Sequence, residues 1–271
     1  MSRLKGLRLP LDLRLVAFGL LFYLGFLVMN FPAERAYGYF QDSELASRDL
    51  ALGGISGTVW SGRANLAVIK GTRLEALEWT LRPWAILGGQ VALDWRFKVG
   101  DGFARGVTEL GADGTIAFPE LEARLPAALL AGLARASALR PAGLLSLNLQ
   151  DLRWDGVSLV SAAGRAVWNG AEISLLKPLP LGDLSMTLET TAGEVRGVLA
   201  DAGGPLSLDG LLTLDAEGNY QFSGVLAARG NAPELKQALR SLGRAGSDGK
   251  VTLNRSGSLA QLGLVAPRPR D

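Results

Sequence analysis

The sequence predicts a mainly β protein: a single N-terminal transmembrane helix followed by a curved antiparallel β-sheet domain, an open-barrel meander with one or two short helices. Three observations lead there. Leu15 to Met29 is an uncharged, apolar run. Beyond residue 49 apolar and polar residues alternate with period 2, and turn residues recur every 8–12 positions or so. Glycine supplies 35 of the 271 residues, well above the usual share of about 7 %, without collagen spacing.

The chain divides accordingly. Residues 1–14 form a basic tail, +3 from Arg3, Lys5, Arg8 and Arg14 against Asp12, whereas the whole chain carries only +2. The remainder is therefore close to neutral, and no basic face for nucleic acid is expected. Residues 15–33 are the predicted anchor, 19 residues against the ~20 a spanning helix needs. A cleaved signal peptide would need small residues three apart after the apolar run, and Asn30-Phe31-Pro32-Ala33-Glu34-Arg35-Ala36 is a poor site. With the cations before the span, the positive-inside rule keeps the N-terminus in the cytoplasm and exports residues 34–271. In a Gram-negative cell this places the chain in the inner membrane with its bulk in the periplasm.

Residues 34–48 read as a linker or short helix, 49–266 as the β-rich domain and 267–271 as a disordered tail. Within the domain, Leu145, Leu147 and Leu149 face one way and Ser146, Asn148 and Gln150 the other. Leu184, Met186 and Leu188 repeat the pattern. Leu208, Leu212 and Leu214 lead into a turn, and Tyr220, Phe222 and Leu226 return, with Gly218-Asn219 expected to take positive φ. Asp113-Gly114 and Asp155-Gly156 mark further turns. Gly197, Gly210 and Gly224 inside strands are expected at bulges or bends. Two helices are predicted: Pro119–Ala138, from Leu121, Leu125, Leu129, Leu130 and Leu133, and Pro233–Leu242, with Leu235, Ala238, Leu239 and Leu242 on one face.

Catalysis is not expected. The chain has no histidine and no cysteine, which removes His-based triads, thiol nucleophiles and most zinc sites. Gly54 to Gly62 is glycine-dense but lacks the Gly-Lys-Ser/Thr of a phosphate loop; it reads as a strand with a buried Trp60. Ser174-Leu175-Leu176-Lys177 fits S-x-x-K without its companion elements. The carboxylate pairs Asp113/Glu109 and Glu120/Glu122 read as solvated surface. Gly243, Gly246 and Gly249 read as a turn between a helix and a strand. No catalytic, metal or cofactor-binding residue is assigned, and no cofactor is expected.

Gly57-Thr58-Val59-Trp60-Ser61-Gly62-Arg63-Ala64, then Leu77-Glu78-Trp79-Thr80-Leu81-Arg82-Pro83-Trp84-Ala85-Ile86-Leu87-Gly88-Gly89, resembles the signature of the type II secretion system protein N family. The tail agrees: Gly218-Asn219-Tyr220 with Gly224, then Asn231-Ala232-Pro233-Glu234-Leu235 with Leu239 and Gly243, then Gly249-Lys250-Val251-Thr252-Leu253. Residues 100–140 show no family pattern. The resemblance implies a bitopic inner-membrane subunit or accessory of the machine that moves folded proteins across the outer membrane. It further implies partners among the other secretion subunits, in the inner-membrane platform or the secretin-contacting subunit, and no catalytic residue. The anchor-plus-meander layout is also similar to AsmA-like envelope proteins, which implies an alternative role, lipid held along an apolar trough. A closed core predicts Leu208, Leu212, Leu214, Tyr220 and Phe222 sealed by a helix or second sheet; a trough predicts a continuous open apolar face.

Overall fold

Hairpin follows hairpin through the chain, and each strand pairs with its sequence neighbours. The computed structural model describes residues 11–41, 50–69, 71–129, 140–174, 177–243 and 246–259. Among them, thirteen strands form one antiparallel sheet whose spatial order is the chain order. They are β1 (Leu50–Gly57), β2 (Ser61–Ile69), β3 (Thr72–Arg82), β4 (Gln90–Val99), β5 (Gly102–Gly111), β6 (Ile116–Pro126) and β7 (Arg140–Trp154). β8 (Leu159–Ser174), β9 (Pro178–Thr191), β10 (Glu194–Asp201), β11 (Leu206–Leu214), β12 (Asn219–Ala228) and β13 (Val251–Ser258) complete it. The α-helices among the described residues are α1 (Leu11–Met29), α2 (Ala33–Gln41), α3 (Pro83–Leu87) and α4 (Pro233–Leu242).

Because side chains alternate along a strand, the register sorts the sheet into an apolar and a polar face. One apolar row runs Leu147, Ala166, Met186, Leu199, Gly210, Gly224. The next runs Leu149, Gly164, Leu188, Gly197, Leu212, Phe222. On the opposite face Glu78, Arg96, Arg105, Glu122, Asn148 and Arg165 stand side by side. Small residues interrupt the large ones in both apolar rows. Gly197, Gly210 and Gly224 are regularly paired, so the expected bulges are absent there. These glycines make room instead: a Cβ at Gly224 would lie 2.8 Å from the Phe222 ring, and one at Gly210 would lie 3.0 Å from it.

Burial is gathered in three patches. Leu235 and Leu239 of α4 (2 % and 5 % exposed) pack with Leu206, Leu208, Val251, Ala171 and Leu181. Ala67, Leu74 and Val99 form a second patch. Ala162, Val195 and Leu214, with Tyr220 against them, form the third. Leu147, Leu188, Leu212 and Phe222 are half-buried. α4 therefore covers one part of the apolar face, and the meander is an open sheet. Curling is fixed where the buried Ser158 hydroxyl donates to the Ala216 carbonyl at 2.8 Å, pinning the β7–β8 turn against the β11–β12 turn.

Asp201 holds the end of β10. Its carboxylate accepts from Leu208 N–H at 2.9 Å, Gly203 N–H at 3.1 Å and both terminal nitrogens of Arg229. The Arg229 guanidinium foremost, with these amides, lowers its pKa from 3.8 to about 2. A depressed carboxyl contributes stability above its unfolded value and loses it as the pH falls from 3.8 towards 2. Asp201→Asn is therefore expected to cost about 1.5–3 kcal/mol at neutral pH, the worth of hydrogen bonds to a charged group. In acid melts the gap from the parent protein should close across that window.

Several expectations are corrected. Residues 116–126 are strand β6, continued by a single 3₁₀ turn at Ala127–Leu129, where a helix over 119–138 was expected; residues 130–139 lie outside the described residues. Leu121 and Leu125 are four apart, a spacing that serves a strand face as well as a helix, and Glu120, Glu122 and Arg124 take the other face of the strand. Pro119 lies where the β5–β6 register shifts, so its missing N–H breaks no regular pairing. In the β11–β12 turn Gly218 alone takes positive φ (82°), and Asn219 begins β12. Gly114 (84°) and Gly156 (93°) turn as expected. Gly243 follows α4 in extended backbone, where a Cβ would lie 3.0 Å from Val251. Pro233 takes the first turn of α4, and Gly249 (φ 76°) the turn before β13.

Candidate functional site

The N-terminal helix meets the sheet at the glycine-dense turn between β1 and β2. α1 covers 19 residues, and every side chain from Leu15 to Met29 is exposed. No helix among the described residues is long and apolar enough to cross a membrane. The helix stops at Met29, where Asn30 folds its amide back onto the Phe26 carbonyl (2.8 Å). Pro32 then bridges to Thr58 before α2 begins, so residues 30–32 of the expected 15–33 span belong to the junction.

The turn that receives them is built from motif residues. Thr58 N–H donates to the Ser61 carbonyl at 2.9 Å, and its hydroxyl oxygen accepts Ser61 N–H at 3.1 Å, closing the loop. Gly57 has φ 89°, and a Cβ there would lie 2.5 Å from the Ser61 carbonyl oxygen, so only glycine fits. At Gly62 a Cβ would lie 2.4 Å from Trp79 Cζ2. The Trp79 indole lies over that vacancy and donates to the Val59 carbonyl at 3.0 Å.

Trp60 faces the helix. Its indole N–H donates to the carbonyl of Val28, in the last turn of α1, at 2.8 Å, and Val59 N–H donates to Phe31 O at 3.0 Å. The Trp60 carbonyl accepts Leu81 N–H at 2.7 Å, which carries the link into β3. Trp60 is thus a half-buried turn residue that spends its indole on a helix carbonyl, and the expected buried strand position is corrected. Last-turn carbonyls lack intrahelical partners, so Trp60 supplies α1 with a C-terminal cap from 32 residues away. Tyr37 of α2 adds a second tie: its hydroxyl oxygen accepts Leu52 N–H of β1 at 2.9 Å and the amide of Gln41 at 2.9 Å. The sequence reading missed Val28 and Tyr37. Their only signal is that a tryptophan-bearing turn follows closely on an apolar run.

The polar face of β3–β7 forms an open trough of about 980 Å³ lined by Glu78, Asp94, Arg96, Arg105, Glu120 and Glu122, among others. Its carboxylates are largely spoken for: Arg96 pairs with Glu78, Arg105 with Glu122, and Arg82 with Asp94 at 2.6 Å. The Arg82 side chain holds the Asp94 carboxyl below its ordinary range. Glu122, one of the sequence's carboxylate pair, thus has a cation partner, and Asp113 spends an oxygen on Thr115 N–H at 2.9 Å. Ser174 hydrogen-bonds Glu172 at 3.4 Å, and residues 175 and 176 lie outside the described residues. Among the described residues no group of three or more Asp and Glu is placed to hold a metal ion.

Of the remaining motif residues, Pro83 opens α3, Trp84 is 79 % exposed and Tyr220 packs in the third buried patch. Leu239 is buried under α4, away from the junction. Arg3, Lys5, Arg8 and Arg14 have no described side chains. The structure therefore gathers Gly57, Thr58, Trp60, Gly62, Trp79, Pro83 and Trp84 at one end of the sheet and leaves the C-terminal set elsewhere.

An open antiparallel meander whose first hairpin grips an exposed apolar helix defines a helix-tethered β-sheet protein. The chain belongs to the type II secretion system protein N family, whose sequence profile matches residues 48–254. It is 26 % identical over 252 residues to the type II secretion system protein N of Aeromonas hydrophila (90 % of this chain, 98 % of that one). It is 28 % identical over 256 residues to that of Vibrio cholerae serotype O1 (91 % and 99 %). Over 252 residues it is 29 % identical to that of Klebsiella pneumoniae (90 % and 93 %). No solved structure matches it significantly.

Proposed function

We propose that this chain is a membrane-anchored, non-enzymatic subunit or accessory of the type II secretion system. It supports export of folded proteins by assembling or stabilising the inner-membrane platform with other secretion subunits. Residues 1–14 stay in the cytoplasm, the apolar run from Leu15 to Met29 lies in the inner membrane, and the sheet lies in the periplasm. The observation that carries this reading is the junction. Trp60 binds the Val28 carbonyl at the end of a helix with apolar side chains exposed on every side, Val59 binds Phe31 just beyond it and Tyr37 of α2 binds β1, an arrangement suited to tethering a domain to a membrane. Family membership supplies the machine, and the cations Arg3, Lys5, Arg8 and Arg14 before the span supply the orientation.

The test is deletion of the gene with proteomics of medium and periplasm. Secreted enzymes should accumulate in the periplasm and return to the medium when the full chain is supplied; unchanged secretion overturns the reading. A second reading, lipid held along the apolar face, is favoured by that face being open beyond α4. Phospholipid co-purifying with the full chain in stoichiometric amount, together with normal secretion in the deletion, would make it the primary function.

A further inference from the structure

The end of the sheet that receives α1 carries a second apolar feature. Residues 83–93, Pro-Trp-Ala-Ile-Leu-Gly-Gly-Gln-Val-Ala-Leu, contain no charge. They fold as α3 and the start of β4, and α3 contacts β4. Two of the large side chains of α3 are exposed: Trp84 is 79 % exposed and Ile86 49 %. Val91 and Leu110, cross-strand partners at the same end of β4 and β5, are 42 % and 46 % exposed. A short helix that leaves most of a tryptophan and half of an isoleucine in water at the tip of a sheet gains little for folding from the exposed surface.

The position of this rim identifies its occupant. Leu81 N–H binds the Trp60 carbonyl, and the Trp60 indole binds Val28 in the last turn of α1. Pro83 follows Leu81 by two residues, so α3 stands at the same end of the sheet as the exit of α1, the end that an anchoring helix would hold near the membrane surface. Tryptophan favours that level, with its ring among acyl chains and its N–H among headgroups.

We propose that α3 and the Val91–Leu110 pair dip into the headgroup–acyl boundary of the bilayer that holds α1, giving the sheet a second point of attachment to lipid. Two attachments at one end, one spanning and one interfacial, fix the tilt of the sheet on the membrane; the helix alone leaves it free to rotate about the span. With no cation between residues 83 and 93, the contact is apolar, so ionic strength does not release it. The proposal rests on the reading of α1 as a membrane anchor.

The absence of cysteine from the chain makes the test clean. Single variants Ile86→Cys, Leu110→Cys, Leu20→Cys and Val198→Cys of the full protein carry a nitroxide label. They are placed in nanodiscs of phosphatidylethanolamine and phosphatidylglycerol. Accessibility to oxygen, which concentrates in lipid, is compared with accessibility to a water-soluble nickel chelate. The ratio at residues 86 and 110 is expected to be several-fold higher than at residue 198, to approach that at residue 20 and to persist in high salt. It should fall to the aqueous value at residue 86 when Trp84→Glu is added. An aqueous ratio at residues 86 and 110 with a lipid ratio at residue 20 overturns this proposal and leaves the anchor standing. Shielding of residue 86 from both reagents overturns it in favour of a protein partner, and an aqueous ratio at residue 20 overturns both readings.

Discussion

Gly62→Ala is expected to destabilise the protein by about 2–3 kcal/mol, towards the upper end of what overpacking costs. The added methyl would stand 2.4 Å from Trp79 Cζ2 and 2.9 Å from the Thr58 carbonyl oxygen. Neither neighbour gives way easily. The Trp79 ring is held by its bond to the Val59 carbonyl, and Thr58 is held by the turn it closes. Relief by movement would have to push the turn away from Phe31 and Val28, so the same substitution should loosen α1 from the sheet. Trp79→Ala removes the obstructing ring, and in that background most of the Gly62→Ala penalty should disappear. Thermal melts of the two single variants and the double variant give the coupling, expected at about 1–3 kcal/mol for residues in direct contact. Additive effects would show that the ring does not occupy the space above Gly62.

Leu235→Ala is expected to cost about 3 kcal/mol, as buried leucine truncations do, and to lower the melting temperature by roughly 6–12 °C in a domain of this size. Leu235 is 2 % exposed and reaches the sheet at Leu206, Leu208 and Val251. α4 has no side-chain hydrogen bond at its N-terminal cap, and ten residues are too few to hold a helix without packing. Loosening α4 uncovers the part of the apolar face it covers, so binding of a dye that reports apolar surface should rise before the melt. A melting temperature unchanged in Leu235→Ala would mean that α4 does not close this end of the sheet.

The legibility of the sequence followed the range of the interactions. Alternation at Leu145, Leu147 and Leu149 announced β7 because the period of a strand is written in consecutive residues. The Leu214–Tyr220 hairpin was equally plain, with Gly218 marking its turn. Strand β6 was hidden because leucines four apart satisfy both periods, and the neighbouring alanines favoured the helix. At the junction, the glycines and tryptophans of the motif stood out as a group, but their task did not. Trp60 reaches Val28 across 32 residues, and no local pattern records a partner at that distance. Trp60 in a glycine-dense, apolar segment looked like core; its exposure comes from belonging to the turn between two strands and to neither of them.

The spatial order of the thirteen strands is also the order in which they are synthesised. Each strand finds its partner already present; most loops to be closed are short, and the longer connections are those before β7 and, with α4 in it, before β13. Such a sheet lengthens one strand at a time while the rest of the chain is still unfolded, with no segment waiting for the C-terminus before it can pair. The contacts that need distant residues, Ser158 with Ala216 and α4 with β8, come late and act as latches on a structure that has already zipped. A chain lengthened from its N-terminus should therefore gain strand content steadily, and the curled shape should appear only when residues beyond Ala216 have been added.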